Sequence, residues 1–123
     1  MAEALARHFL RDVVEASSAG LAPLGHIPSQ TLETLNEAAI STEGLYSKGL
    51  DEVPLAGIDC LVNLTEIEVE PFIPHSFLGK LISCPVRDPF GQGVESFREA
   101  RKEIEKLVRQ KLPELLGVNH TPQ

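Results

Sequence analysis

Residues 80–98 read Lys80-Leu-Ile-Ser-Cys-Pro-Val-Arg-Asp-Pro-Phe-Gly-Gln-Gly-Val-Glu-Ser-Phe-Arg98, and the change of pattern inside them decides the fold. A short apolar run (Leu81, Ile82) stops at Pro85, and Asp88-Pro89 follows at once. A turn bracketed by Gly91 and Gly93 then leads into a long helical pattern. Strand, loop and helix in that order form the unit of an open α/β sheet, whose chemistry sits on loops beyond the strand ends. Asp88 is therefore a candidate acid. The plain alternative stays open, because Asp before Pro favours extended or turn geometry in ordinary loops.

The 123 residues suit one domain with a modest core, and 42% hydrophobic with 24% charged residues is a globular balance. A formal net charge of -7 argues against nucleic acid or an anionic membrane as partner. No apolar stretch approaches the roughly 20 residues of a membrane span. The opening Met-Ala-Glu-Ala-Leu-Ala-Arg-His-Phe-Leu is amphipathic and carries a Glu, unlike a signal peptide. Cys60 and Cys84 read as two reduced core thiols, which places the expected protein in the cytoplasm.

Outward from that stretch, the surest helix runs from Val94 to Leu112, with Phe97, Ile104, Leu107 and Val108 on one side and Pro113 ending it. Residues 2–11 predict a helix that opens without an N-capping side chain, as if separated from an element before it. Val13–Ser17 reads as a short strand closed by Ser18-Ala19-Gly20, and Pro28 begins a second helix running to about Ala39. Asp51 would cap a brief helical turn. Ile58–Leu64 is the best strand, apolar enough for a buried parallel position. Residues 66–78 read as a partial helix and a loop, and Leu81–Cys84 as the last strand. The expectation is one domain over residues 1–117, a polar tail at 118–123, and an α/β fold whose parallel sheet has three strands.

Familiar chemical signatures are absent. There is no G-x-G-x-x-G and no G-x-x-x-x-G-K-[ST], so no nucleotide cofactor is implied. A cysteine followed by five residues and an arginine would cradle a phosphate, but six residues after Cys60 lies Glu66, and six after Cys84 lies Phe90. His8, His26, His75 and His120 are scattered, with no zinc spacing, so no metal is expected. Ser18 reads as a turn residue rather than a nucleophile, and Glu66, Glu68 and Glu70 as a solvated face.

Several pieces nevertheless fall in a telling order. These are Met1–Arg7, Ser18-Ala19-Gly20, Gly25-His26-x-Pro28, Ser47-Lys48-x-Leu50, the strand led by Asp59, and Asp88-Pro89. At these spacings the chain resembles the low-molecular-weight protein-tyrosine-phosphatase family, which includes the thioredoxin-coupled arsenate reductases, over residues 1 to about 112. The resemblance implies a three-layer α/β/α domain with a small parallel sheet, four-stranded in the family. It also implies a cysteine in a phosphate loop that attacks phosphorus, and an acid that protonates the leaving oxygen. Asp88 matches the acid, and Phe90 falls where members often carry aromatics that line the substrate cleft. The opening residues match the helix just after the phosphate loop, so the first strand, the nucleophile and the loop arginine would precede Met1.

The chain as it stands is therefore expected to be inactive, because positioning and charge stabilisation dominate phosphoryl transfer. A phosphorylated substrate or oxyanion would bind only with the phosphate loop restored. The arsenate-reducing branch is disfavoured, since Leu64–Phe77 holds no relay cysteine. The resemblance places the missing strand between Val13–Ser17 and Ile58–Leu64, which leaves two strand edges that invite closure, pairing with a second copy, or a longer natural chain. A non-catalytic interaction module on the same fold, and an unrelated α/β protein with Asp88-Pro89 only a turn, remain as alternatives.

Overall fold

Helices α1 (Ala2–Phe9), α2 (Ser29–Glu37) and α3 (Val94–Lys106) form where apolar residues recur at helical spacing. The computed structural model describes residues 1–21 and 25–117, so the tail expected at 118–123 lies outside the described residues. α3 packs against both α1 and α2. Leu5 of α1 and Leu35 of α2 are fully buried, and Phe97, Ala100, Ile104 and Val108 supply the matching face. Each buried leucine contributes about 2 kcal/mol. Across the α2–α3 contact, Arg98 holds Glu37 with two hydrogen bonds of 2.9 and 2.6 Å and also meets Glu95. Among the described residues, no helix is long and apolar enough to cross a membrane.

Strands β1 (Cys60–Asn63) and β2 (Lys80–Ser83) pair in parallel, with Cys60 opposite Lys80 and Asn63 opposite Ser83. Their ladder runs past both ends. The Lys80 N–H donates to the Asp59 carbonyl at 2.9 Å, while the N–H groups of Cys84 and Val86 donate to the carbonyls of Asn63 and Leu64 at 2.8 Å. Gly79 feeds this ladder at a place where a Cβ would stand 2.5 Å from the Asp59 carbonyl oxygen and 2.7 Å from that of Ile58. Only glycine fits there. Asp51 lies inside a short 3-10 turn, Leu50–Glu52, whose cap is Gly49 and not Asp51 as expected, and a second turn follows at Leu55–Gly57. Between the strands, residues 66–78 hold one 3-10 turn, Glu70–Phe72.

Two expectations are corrected. The strand expected at Val13–Ser17 does not form, and the sheet of the described residues has two strands rather than three. The N–H groups of Val13 and Val14 both donate to the Leu10 carbonyl, at 3.0 and 2.9 Å, prolonging the end of α1 as turns. Residues 14–19 then run without regular structure, and the one bridge nearby joins Gly20 to Gly49. β-Propensity needs a ladder to act on, and among the described residues no strand pairs with this segment. The second correction concerns Pro113, which does not end the last helix. Leu107–Lys111 widens into a π-helical turn, α4 (Leu112–Leu116) continues through the proline, and Gly117 closes it at φ 68°. Pro113 has no N–H for the Arg109 carbonyl, and a wider turn just before it accommodates the ring. Lys80 Nζ reaches the Leu115 carbonyl at 3.0 Å, tying β2 to the end of α4.

The start of α1 is held by charge. Glu3 is 2% exposed, and its Oε1 accepts hydrogen bonds from Ser18 Oγ at 2.8 Å and Lys48 Nζ at 3.1 Å. Arg7 Nη2 stands 2.8 Å from Oε2, close enough to pair its charge although no N–H aims at that oxygen. Lys48 is itself buried, with its ammonium 4.3 Å from the centre of the Tyr46 ring. One carboxylate thus joins α1 to the 18–20 and 46–49 segments. Burial pushes the Glu3 carboxyl up, but the Ser18 hydroxyl, the Lys48 ammonium and Arg7 outweigh it and hold the carboxyl below its ordinary value.

Two substitutions test this frame. Gly79→Ala forces the β1–β2 ladder apart and lowers stability by about 2 kcal/mol in chemical denaturation. Glu3→Gln leaves the Lys48 ammonium buried without its counter-charge and costs about 3 kcal/mol at neutral pH. The sign with pH follows from the lowered carboxyl. The ion cluster's contribution is whole above the unfolded value of 4.5 and is lost as pH falls through the lower folded value. Thermal unfolding should therefore show wild type and Glu3→Gln converging as the pH drops below 4.5.

Candidate active site

The hydrogen bonds that carry the ladder past β2 deliver the 85–93 loop to the carboxyl end of the sheet. Asp88 is exposed there, and its Oδ1 accepts the Phe90 N–H at 3.0 Å. The Pro89 carbonyl accepts the Gln92 N–H at 2.9 Å, and Gly91 turns the chain at φ 82° toward the Gly93 cap of α3. The turn reading of Asp88-Pro89 is thus present, with the carboxyl left exposed. One carboxylate oxygen builds the turn, and among the described residues the other takes no hydrogen bond. An exposed carboxyl on a turn braced by its own backbone can present a proton to a substrate oxygen. Phe90 is 56% exposed beside it.

No second reactive group stands with Asp88 among the described residues. Both cysteines are free, Cys84 buried and Cys60 half-buried. Burial pushes the Cys60 thiol up, the opposite of what a nucleophilic thiolate needs. Cys60 also pairs with Lys80 at the amino end of the ladder, which sets its level about 13 Å of strand below the carboxyl end that carries Asp88. The Ser18 hydroxyl is spent on Glu3. His8, His26 and His75 are exposed, Glu66, Glu68 and Glu70 likewise, and His120 lies outside the described residues. Among the described residues, no three His, Cys, Asp or Glu side chains gather as metal ligands would. Two open grooves, of about 370 and 510 Å³, are formed by the 49–56 and 71–76 segments with Leu21, and neither is lined by Asp88 or Phe90.

The sequence did not disclose the Glu3–Lys48–Ser18 cluster. Its members stand in three of the ordered motif pieces, Met1–Arg7, Ser18-Ala19-Gly20 and Ser47-Lys48. Each piece looks like a surface or turn feature alone, and only the fold shows one ionic contact behind all three.

Solved structures share the fold. The tyrosine phosphatase Wzb from Escherichia coli K30 superposes with a TM-score of 0.77 at 16% identity, over 93% of this chain and 87% of that one. The YwlE arginine phosphatase from Geobacillus stearothermophilus gives 0.73 at 24% identity, over 98% and 88%. An arsenate reductase from Archaeoglobus fulgidus gives 0.74 at 23% identity, over 94% and 87%. At these identities the likeness establishes the fold, a three-layer α/β/α architecture around a small parallel sheet. The sequence pattern of the low molecular weight phosphotyrosine protein phosphatases matches residues 1–119, and the chain belongs to that family.

Proposed function

We propose that this chain is the acid-bearing part of a cytoplasmic phosphomonoester phosphatase site, inert by itself because it holds no nucleophile and no anion cradle. The observation that carries the reading is the exposed Asp88 carboxyl at the carboxyl end of the sheet, in 123 residues without a Cys-x5-Arg sequence. An open β1 edge supports it, since β1 pairs with β2 alone among the described residues. A strand added there would carry a following loop to the same end of the sheet as Asp88.

In that setting the loop cysteine attacks phosphorus, the loop arginine and backbone N–H groups hold the phosphoryl oxygens, and Asp88 gives its proton to the departing oxygen. Phe90 would flank the leaving group. Arsenate reduction is the weaker reading, as Leu64–Phe77 contains no cysteine to relay oxidation. The second reading is an interaction module that keeps the fold without turnover. It is favoured by the Asp88 turn, which a purely structural role explains equally well.

The 123-residue chain should show no turnover of an aryl phosphate above the buffer rate. Turnover that disappears on Asp88→Asn would overturn the claim of inertness. When a strand and a Cys-x5-Arg loop are joined ahead of Met1, hydrolysis should appear, and Asp88→Asn should lower kcat by about 10² to 10³. Full-rate hydrolysis by that Asp88→Asn variant would favour the structural role instead.

A further inference from the structure

We propose that the trough between the 49–56 and 71–76 segments docks a cationic, apolar peptide segment of another protein, apart from the Asp88 loop. The two grooves share Leu50, Asp51 and Phe72, so they run into one another. Their walls are pinned from behind by buried Leu55 and Val69, each of which anchors a 3-10 turn. The Ile58 N–H donates to the Leu55 carbonyl at 3.1 Å, and the Phe72 N–H to the Val69 carbonyl at 2.8 Å. Pro54, Pro71 and Pro74 fix the backbone along both walls, which lowers the ordering cost of binding.

The trough offers apolar surface under an acidic rim. Phe72 is 55% exposed where the grooves meet, and Leu50, Val53 and Ile73 are half-buried in the lining. Asp51 and Glu52 line the trough as well, and Glu70 opens the turn that presents Phe72. At about 370 and 510 Å³ the grooves are sized for a few side chains rather than for a folded surface.

Charge selects the occupant. Residues 49–79 hold Asp51, Glu52, Asp59, Glu66, Glu68 and Glu70 and no lysine or arginine, which accounts for all but one unit of the net charge of -7. Among the described residues none of these carboxylates pairs with a base. Glu52 is spent on the Gly49 N–H at 2.6 Å, while the carboxyls of Asp51 and Glu70 are exposed. A field of one sign attracts a partner of the other and rejects its like, so the same face of a second copy is a poor fit. A segment that pairs arginine with a large apolar residue meets both demands. Its apolar side chain covers Phe72, and its guanidinium faces the Asp51 and Glu70 carboxylates.

The test titrates the 123-residue chain with a short peptide that alternates arginine with leucine and phenylalanine, followed by backbone amide shifts. Saturable shifts are expected at Leu50, Asp51, Phe72 and Ile73, and they should weaken about fivefold when salt rises from about 0.05 to 0.3 M. Phe72→Ala should weaken binding about tenfold, and Asp51→Asn with Glu70→Gln about fivefold. Two control peptides, one with glutamate for arginine and one with serine for the apolar residues, should each bind at least tenfold more weakly. No saturable response in the 49–56 and 71–76 segments overturns the proposal, as does equal binding of either control. Shifts at these amides that grow with protein concentration alone, with a doubled mass by light scattering, would assign the trough to a second copy and overturn it too. The wild-type titration decides the matter even if a variant does not fold.

Discussion

A strand has two hydrogen-bonding edges, and among the described residues β1 has a partner on only one of them. Much else depends on that imbalance. The β1–β2 ladder fixes where the 85–93 loop emerges and sets Asp88 beyond the carboxyl end of the sheet. Val13–Ser17 has β-like composition but, among the described residues, no ladder to join, so residues 14–19 run irregularly. Where strand pairing does not hold that segment, an ionic contact does. Glu3 draws α1, Ser18 and Lys48 onto one buried carboxylate, where a single unpaired charge would be costly.

The legible parts of the fold were those whose cause lies within a few residues. α1, α2 and α3 could be read from apolar spacing, and β1 and β2 from short apolar runs bounded by Gly and Pro. The ordered set from Met1 to Asp88-Pro89 was enough to find the family. The illegible parts depend on partners distant in sequence. Val13–Ser17 looks like a strand because its residues suit one, yet pairing decides the outcome. Pro113 looks like a stop, but buried Leu107, Val108 and Leu112 anchor the helix to the core up to the proline, and it widens instead of ending. Glu3 looks like half of a surface pair with Arg7. Its burial appears only when residues 18 and 48 close over it.

At the candidate site the sequence left two roles open for Asp88, and the geometry explains why. The same carboxylate that braces the turn through the Phe90 N–H keeps a second oxygen available to a substrate. Structure and acid chemistry are not exclusive here. Acid chemistry alone, however, contributes little without charge stabilisation at phosphorus, which requires donors aimed at the phosphoryl oxygens. Neither free thiol can substitute, since Cys84 is buried and the Cys60 thiol is pushed up at the wrong end of the ladder.

The most direct test of this account is a titration of the 123-residue chain with inorganic phosphate, followed by backbone amide chemical shifts. The account predicts no saturable shift at the N–H groups of α1 or of the Asp88 loop. A saturable, one-to-one response at those amides would mean that the chain already holds an anion cradle, and would contradict it.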